Sequence, residues 1–366
     1  MRRRALMALA GLAGGLVAAL AALTLCSGCS SLGYYAQSAS GHVDLMRRAR
    51  PIDDWLADPV TAPALRERLA LAKELRRFAV SALGLPDNAS YTRYADLGRD
   101  AAVWNVVAAP ALSLELHRWC YPVLGCVGYR GYFRRSDTDA EAATLRAQGL
   151  DVLVYGVPAY STLGWSNWVG GDPLLNTFVR GSEAGLARLV FHELAHQVAY
   201  AEGDTEFNES YATAVETLGL ARWREAHAAP EGSTGDVAAA EAGAQRRRAD
   251  FRALTQRTRV RLQALYADPG DAAAALARKA ETLAGMRAEH AALKAGPWQG
   301  STAYDDWFAN ANNASFAILA AYDGLVPDFE RLFRAQGSDF RRFHAEVRRL
   351  ADLPAAERRA TLHALP

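Results

Sequence analysis

His192 and His196 stand four residues apart in the stretch FHELAHQ, with Glu193 directly after the first. On a helix, positions i and i+4 lie on one face, one turn apart, so two imidazoles there can share one metal ion. Glu193 is turned from that face by roughly 100°. It is placed to reach a water beside the ion rather than to ligate it, which is the arrangement of a general base in metal-assisted hydrolysis. The surrounding run, LARLVFHELAHQVAYA, is apolar nearly all round and predicts a buried helix. Two histidines and a glutamate buried there cost free energy unless something pairs them, and a metal ion does. Two surface histidines with a solvated glutamate, the ordinary alternative, do not suit so apolar a helix.

A catalytic zinc ion needs a third protein ligand and an open fourth position. Downstream candidates are Glu202, Asp204, Glu206, Glu209 and His227. Glu202 falls six residues after His196, where metzincins place their third ligand. That class turns its chain at a glycine three residues after the second histidine. Here the position is Ala199, in a run expected to stay helical, so Glu202 is expected to point away. Glu209 lies in FNESYATAVE, which resembles the stretch of thermolysin-type and alanyl-aminopeptidase-type gluzincins that supplies a glutamate from the next helix. Gly203 and Asp204 supply a break that lets this second helix fold back antiparallel. Asn208 and Thr213 are candidates for supporting the ligands, although a helical threonine more commonly bonds its own backbone.

Taken with GVPAYSTLGW, DPLL, GDTEFNES, WCYPVLGCVGYRGYF and the NNA at 312–314, the motif resembles the bacterial putative zinc aminopeptidase lipoproteins, from about Leu32 to Phe329. The resemblance implies a zincin-like core holding one Zn²⁺ on His192, His196 and Glu209, with Glu193 as base and peptides as substrates. Tyr160, Tyr211, Tyr304 and Tyr322 are candidates for stabilising the oxyanion. Tyr160 is singled out because it precedes the active helix, where zincins line their cleft. Glu115, Glu206 and Asp172 are candidates for holding a substrate amine. Trp165, Trp168 and Trp307 could line a pocket, though tryptophan more often serves the core. Two other readings stand beside this one. The first is an endopeptidase acting on envelope proteins. The second is a non-catalytic assembly lipoprotein with a structural zinc site, against which Glu193 speaks.

The elements that must position these groups are mostly helical. Periodicity predicts helix over about 46–83, ending at Gly84, and a strand over 101–110. A second strand is expected to end near Arg134. Thr138 and Glu141 have capping-box spacing for a helix running to about Gln148, followed by a strand in DVLVYGV. Ser182 caps the ligand-bearing helix, and a helix is expected over about 205–227. An Arg/Ala/Glu-rich stretch to about 292, broken at ADPGD, reads as a helical hairpin, with more helix over 304–350. The expected fold is therefore α+β and mainly helical, with a small mixed sheet and a C-terminal helical region. Residues 1–28 read as a lipoprotein signal peptide, 29–45 as a tether and 46–230 as the zincin-like catalytic region. Residues 231–366 read as a helical region completing the cleft.

The amino terminus, MRRRALMALAGLAGGLVAALAALTLCSGCSS, has the basic, apolar and small-residue layout of a secretory signal. Ser27-Gly28-Cys29 resembles a lipoprotein processing site at which Cys29 is acylated. The alternative is an uncleaved anchor, because the apolar run is nearly long enough to span a bilayer. Both place the bulk outside the cytoplasm, and the lipoprotein reading tethers it to the bacterial envelope, on the outer membrane facing the periplasm. In that oxidising setting Cys120 and Cys126 are expected to close a disulfide loop. The net charge is +1 and falls near −2 without residues 1–28. No basic stretch suggests a nucleic-acid partner, and nothing here fixes an oligomeric state.

Overall fold

The computed structural model describes residues 33–121, 125–162, 164, 167–227 and 235–364. Residues 1–32, on which the signal-peptide and Cys29 acylation expectations fall, and Trp165 lie outside the described residues. Residues 33–48, most of which were read above as tether, form a helix, α1. Within it Arg48 pairs with Asp44, one turn earlier. The described residues up to Arg48 form one unit and those from Ala49 onward another.

The second unit is mainly helical with small sheets. Its first part comprises β1 (Arg50–Pro51), α2 (Ile52–Ala57), α3 (Pro63–Ser81), β2 (Arg93–Ala95) and β3 (Val103–Pro110). The single helix expected over 46–83 is instead the end of α1, then α2 and α3, the last two separated at 58–62. A proline at the start of α3 favours a new helix there over continuation of the old one. Next come β4 (Trp119–Tyr121), β5 (Gly125–Val127), β6 (Arg130–Tyr132), α4 (Arg135–Ala147), β7 (Leu150–Val157), β8 (Leu174–Leu175) and α5 (Asn176–Val179). The strand expected to run to Arg134 is two short ones. β4 and β5 form a hairpin joined by a Cys120–Cys126 disulfide. The expected capping box is also absent. α4 starts at Arg135, and the Thr138 hydroxyl donates to the Arg134 carbonyl from inside the first turn.

β3 is the centre of a three-stranded sheet, paired antiparallel with β6 and, over its whole length, with β7. A second sheet joins β1 antiparallel and β8 parallel to β2, so it is mixed. The helices that carry the candidate ligands are α6 (Glu183–Ala195) and α7 (Thr205–Ala226). Ser182 caps α6, its hydroxyl accepting from the Gly185 amide at 3.0 Å. α8 (Gly235–Ala267) and α9 (Ala272–Ala295) form the expected hairpin, followed by α10 (Asp305–Asn310), α11 (Asn313–Asp323), α12 (Val326–Ala335), α13 (Phe340–Ala351) and α14 (Ala355–His363). Among the described residues no helix is long and apolar enough to cross a membrane.

Two packing features fix the site. α11 lays Ala314, Ala317, Ile318 and Ala321 against Val107 and Ala109 of β3. It is tied to α7 through Ser210, whose hydroxyl donates to the Ala321 carbonyl at 3.3 Å and accepts from the Leu325 amide at 3.1 Å. α7 packs tightly on α6 at Gly219, where a Cβ would lie 2.9 Å from the Phe191 ring and 2.8 Å from Leu83. A side chain there would force the two helices apart.

α7 is also pinned from behind. The buried Tyr211 hydroxyl bonds His344 Nδ1 at 2.7 Å, and His344 Nε2 bonds the Leu83 carbonyl at 2.9 Å. Nε2 must donate to a carbonyl, and in the neutral ring Nδ1 then accepts from the Tyr211 hydroxyl. Burial pulls the His344 pKa down from 6.5 to about 4, against the raising effect of the Leu83 bond. As pH falls through 6.5 the unfolded chain takes up this proton first, so stability drops between pH 6.5 and 4 and this group contributes no further loss below. Urea unfolding midpoints measured at pH 7, 5.5 and 4.5 should decline. The decline should be smaller in His344→Gln, which cannot titrate there.

Candidate metal centre

His192 lies in the last turn of α6, and His196 is the residue that ends it. The chain leaves the helix at this point, with a turn over 196–198, so the expectation that helix continues past Ala199 is incorrect. Side chains explain the stop. The Gln197 side-chain carboxamide accepts from Asn88 Nδ2 at 2.7 Å and donates to the Ser90 hydroxyl at 3.2 Å. Asn208, from α7, then clamps Ala201 through both its amide and its carbonyl, at 2.8 Å each. Gly203 adopts a left-handed φ of 72°, which reverses the chain. Asp204 caps α7, accepting from the Phe207 amide at 3.1 Å. Its other oxygen receives the buried Arg358 of α14 at 2.6 Å. Glu202 is exposed on this turn, and Glu206 pairs with Arg359.

The result is a convergence of three donor atoms. His192 Nε2 and His196 Nε2 are 3.2 Å apart, and Glu209 Oε2 lies 3.3 Å from the first and 3.5 Å from the second. These three residues are the group of potential metal ligands among the described residues. An ion about 2.0–2.1 Å from each donor in tetrahedral geometry sets the donors about 3.3–3.4 Å apart. The observed triangle has that size, so the residues present fit a small divalent ion with a fourth position open. Asp204, Glu206 and His227 take no part, and His227 stacks on Trp223.

Electrostatics reinforce the convergence. Burial pushes the Glu209 carboxyl up, but the imidazoles of His196 and His192 outweigh it and hold the group well below the usual carboxylate range. Burial works against charge on His192 as well, and hydrogen bonds to Glu209 and Glu216 more than reverse it. Glu193, partly buried, is raised from its ordinary value, mainly by desolvation and against the lowering effect of both histidines. Glu193 is thus a desolvated carboxyl within electrostatic reach of both imidazoles.

Glu216 escaped the sequence reading. Its Oε2 bonds His192 Nδ1 at 3.1 Å, fixing the ring so that Nε2 faces the centre. Its Oε1 receives Arg188 at 3.2 Å. The available signal was its position seven residues after Glu209, two turns along the same face of α7. The support foreseen for Asn208 or Thr213 is therefore divided differently. Asn208 shapes the turn, and Glu216 orients the His192 ring.

The candidate tyrosines separate clearly. Tyr322, from α11, stacks over His192 with centroids 6.3 Å apart and planes 18° from parallel. Burial and the Glu209 and Glu193 carboxylates raise its pKa well above 10. Its hydroxyl bonds that of Tyr155, which Asn105 also approaches at 3.4 Å. Tyr129, missed in the sequence, feels the same two carboxylates. Tyr160 packs on Phe133, Tyr211 is committed to His344, and Tyr304 stacks on Phe251. Of the proposed amine-binding acids, Asp172 is buried and accepts from the Thr162 amide and hydroxyl, and Glu115 is exposed. Trp168 is exposed and Trp307 packs in a core with Phe251, Phe308 and Phe316.

A family model described as Putative aminopeptidase matches residues 33–362. The chain belongs to that family. Neither the curated proteins nor the solved structures include a match. The family covers both ligand helices, Tyr322 of α11 and Arg358 of α14. For Glu216 the geometry makes a quantitative demand. Glu216→Gln keeps the size but weakens the bond that holds His192, and should lower affinity for Zn²⁺ by about 10- to 100-fold. Competition with a coloured chelator measures this directly. Unchanged affinity would remove Glu216 from the centre.

Proposed function

We propose that the chain is a zinc-dependent aminopeptidase of the bacterial envelope, held at the outer membrane through acylated Cys29 and facing the periplasm. Family membership supports peptide hydrolysis at an amino terminus. The observation that carries the metal is the 3.2, 3.3 and 3.5 Å triangle of His192, His196 and Glu209. Nitrogen donors with one carboxylate suit Zn²⁺. The envelope location rests on the layout of residues 1–29.

Bound by these three residues, zinc supplies Lewis acidity toward a scissile carbonyl and acidifies a water at the open position. The remaining steps belong to the chain. Glu193 accepts the proton released as the water oxygen bonds the carbonyl carbon. It then passes that proton to the peptide nitrogen as the C–N bond breaks, leaving a carboxylic acid and an amine. Glu216 keeps His192 in one ring orientation throughout. The Tyr322 hydroxyl, beside His192 and close to both carboxylates, is placed to donate to the oxygen on which negative charge gathers.

The decisive test separates the base from the ligand. Glu193→Gln should retain one zinc per chain and lose turnover of free-amine peptides, whereas Glu209→Ala should lose the zinc itself. Metal content by atomic emission and a peptide digest read both. Activity in Glu193→Gln would sink the mechanism, and full occupancy in Glu209→Ala would move the third ligand elsewhere. N-terminally blocked members in the same digest should survive, and their cleavage would turn the assignment toward an endopeptidase. Tyr322→Phe should lower kcat by about 100-fold with KM little changed, the cost of removing one oxyanion donor. Steady-state kinetics on a single peptide decides it.

A further inference from the structure

Asn105 interrupts an apolar row on β3. Alternate residues of a strand share one face of its sheet, so Asn105 faces the same way as Val107 and Ala109, on which α11 packs. Asn105 is buried with them. A carboxamide in such a row costs free energy unless it is hydrogen-bonded. Its cross-strand partner on β7 is Tyr155, and directly opposite residues of an antiparallel pair point to the same face. Asn105 Nδ2 donates to the Tyr155 hydroxyl at 3.4 Å. On its other side β6 sets Gly131 opposite Asn105, where a Cβ would lie 3.0 Å from Oδ1. Glycine there leaves room for the carboxamide.

Tyr155 of β7 and Tyr322 of α11 pack in the same cluster, and their hydroxyls bond each other. Tyr322 in turn stacks on His192, with ring centroids 6.3 Å apart. The polar groups of Asn105, Tyr155 and Tyr322 thus form a chain from the central strand of the sheet to the metal centre.

This chain has a direction. A carboxamide nitrogen only donates, so the Tyr155 oxygen accepts from it. A phenol carries one proton. Burial, the largest influence, outweighs the bonds from Asn105 and Tyr322 and lifts the Tyr155 pKa to about 12, so that proton stays in place at neutral pH. With its oxygen already receiving from Asn105, Tyr155 offers its proton to the Tyr322 oxygen. The Tyr322 proton is then left for another acceptor. A hydroxyl whose oxygen accepts a hydrogen bond is polarised and donates more strongly.

We infer that Asn105 and Tyr155 are positioning residues, which turn the Tyr322 hydroxyl proton toward the oxygen that becomes negative during peptide hydrolysis. This rests on the peptidase reading given above and on the part Tyr322 has in it. The opposite direction, with Tyr322 donating to Tyr155, would tie that proton up and make Tyr155 a hindrance to the step.

The experiment measures kcat and KM of the zinc-loaded full chain on Ala-Ala-Ala in four forms: unaltered, Tyr155→Phe, Tyr322→Phe and the double variant. Tyr155→Phe should lower kcat by about tenfold, the worth of one hydrogen bond, with KM and zinc content unchanged. In the Tyr322→Phe background the same change should lower kcat no further, because Tyr155 acts only through Tyr322. A merely structural role would cost the same factor in both backgrounds. Asn105→Leu, close in size and unable to donate, should likewise lower kcat in the unaltered background and not in the Tyr322→Phe one. An unchanged or higher kcat in Tyr155→Phe, or equal losses in both backgrounds, overturns the positioning while leaving the peptidase reading in place. Full kcat in Tyr322→Phe overturns the positioning together with the oxyanion role of Tyr322. No turnover by the unaltered chain overturns the peptidase reading and the positioning with it.

Discussion

Three lone-pair-bearing atoms held within 3.5 Å of one another are the constraint around which the rest of this molecule is arranged. Two imidazole nitrogens and a carboxylate oxygen, all largely buried, cannot share that space without a cation or a proton between them. The opposed shifts of Glu209 and His192 express the same demand from its two sides. Burial alone would drive both toward neutrality, and in each case the neighbouring opposite charge prevails. The protein keeps these groups together through rigid elements that have no easy way to relax.

Those elements are two antiparallel helices and the turn between them. The turn is short because side chains satisfy its backbone groups: Asn208 serves Ala201 twice, and Asp204 caps α7. Arg358 of α14 secures the same aspartate from a position 154 residues away in the chain. At the other end Gly219 allows α7 to approach Phe191 closely. The C-terminal helices therefore belong to the site as much as α6 does. α11 brings Tyr322 to His192, α13 anchors Tyr211 and α14 locks the turn. Packing of this kind places a metal ligand more accurately than a loop would.

How far the site was legible in the sequence follows from the range of each interaction. His192, Glu193 and His196 are read from a five-residue pattern, and Glu209 from a local resemblance one helix later. Ser182 as a cap and the break at Gly203 are local too, and both stand. The stop of α6 at His196 was not legible. It depends on Asn88 and Ser90, over a hundred residues earlier, taking up Gln197. The choice among four tyrosines was hidden for the same reason, because Tyr322 reaches the centre through the packing of α11 on β3. Thr138 shows the reverse failure. A correct capping spacing lost to a helix that begins three residues earlier. Glu216 lay in plain view on the ligand face of α7, yet a lone glutamate on a helix carries no signal until its partner is known.

Glu216 also joins the two charged regions of the site. Around Glu193 and Glu209 lie the phenols of Tyr129 and Tyr322, whereas one turn earlier on α6 stands the guanidinium of Arg188. Its two oxygens are divided between them, one on His192 Nδ1 and the other on Arg188. A carboxylate that shares its charge with a guanidinium is a weaker acceptor for an imidazole N–H than one that does not. Arg188 thereby sets, through one side chain, how strongly the His192 ring donates at Nε2.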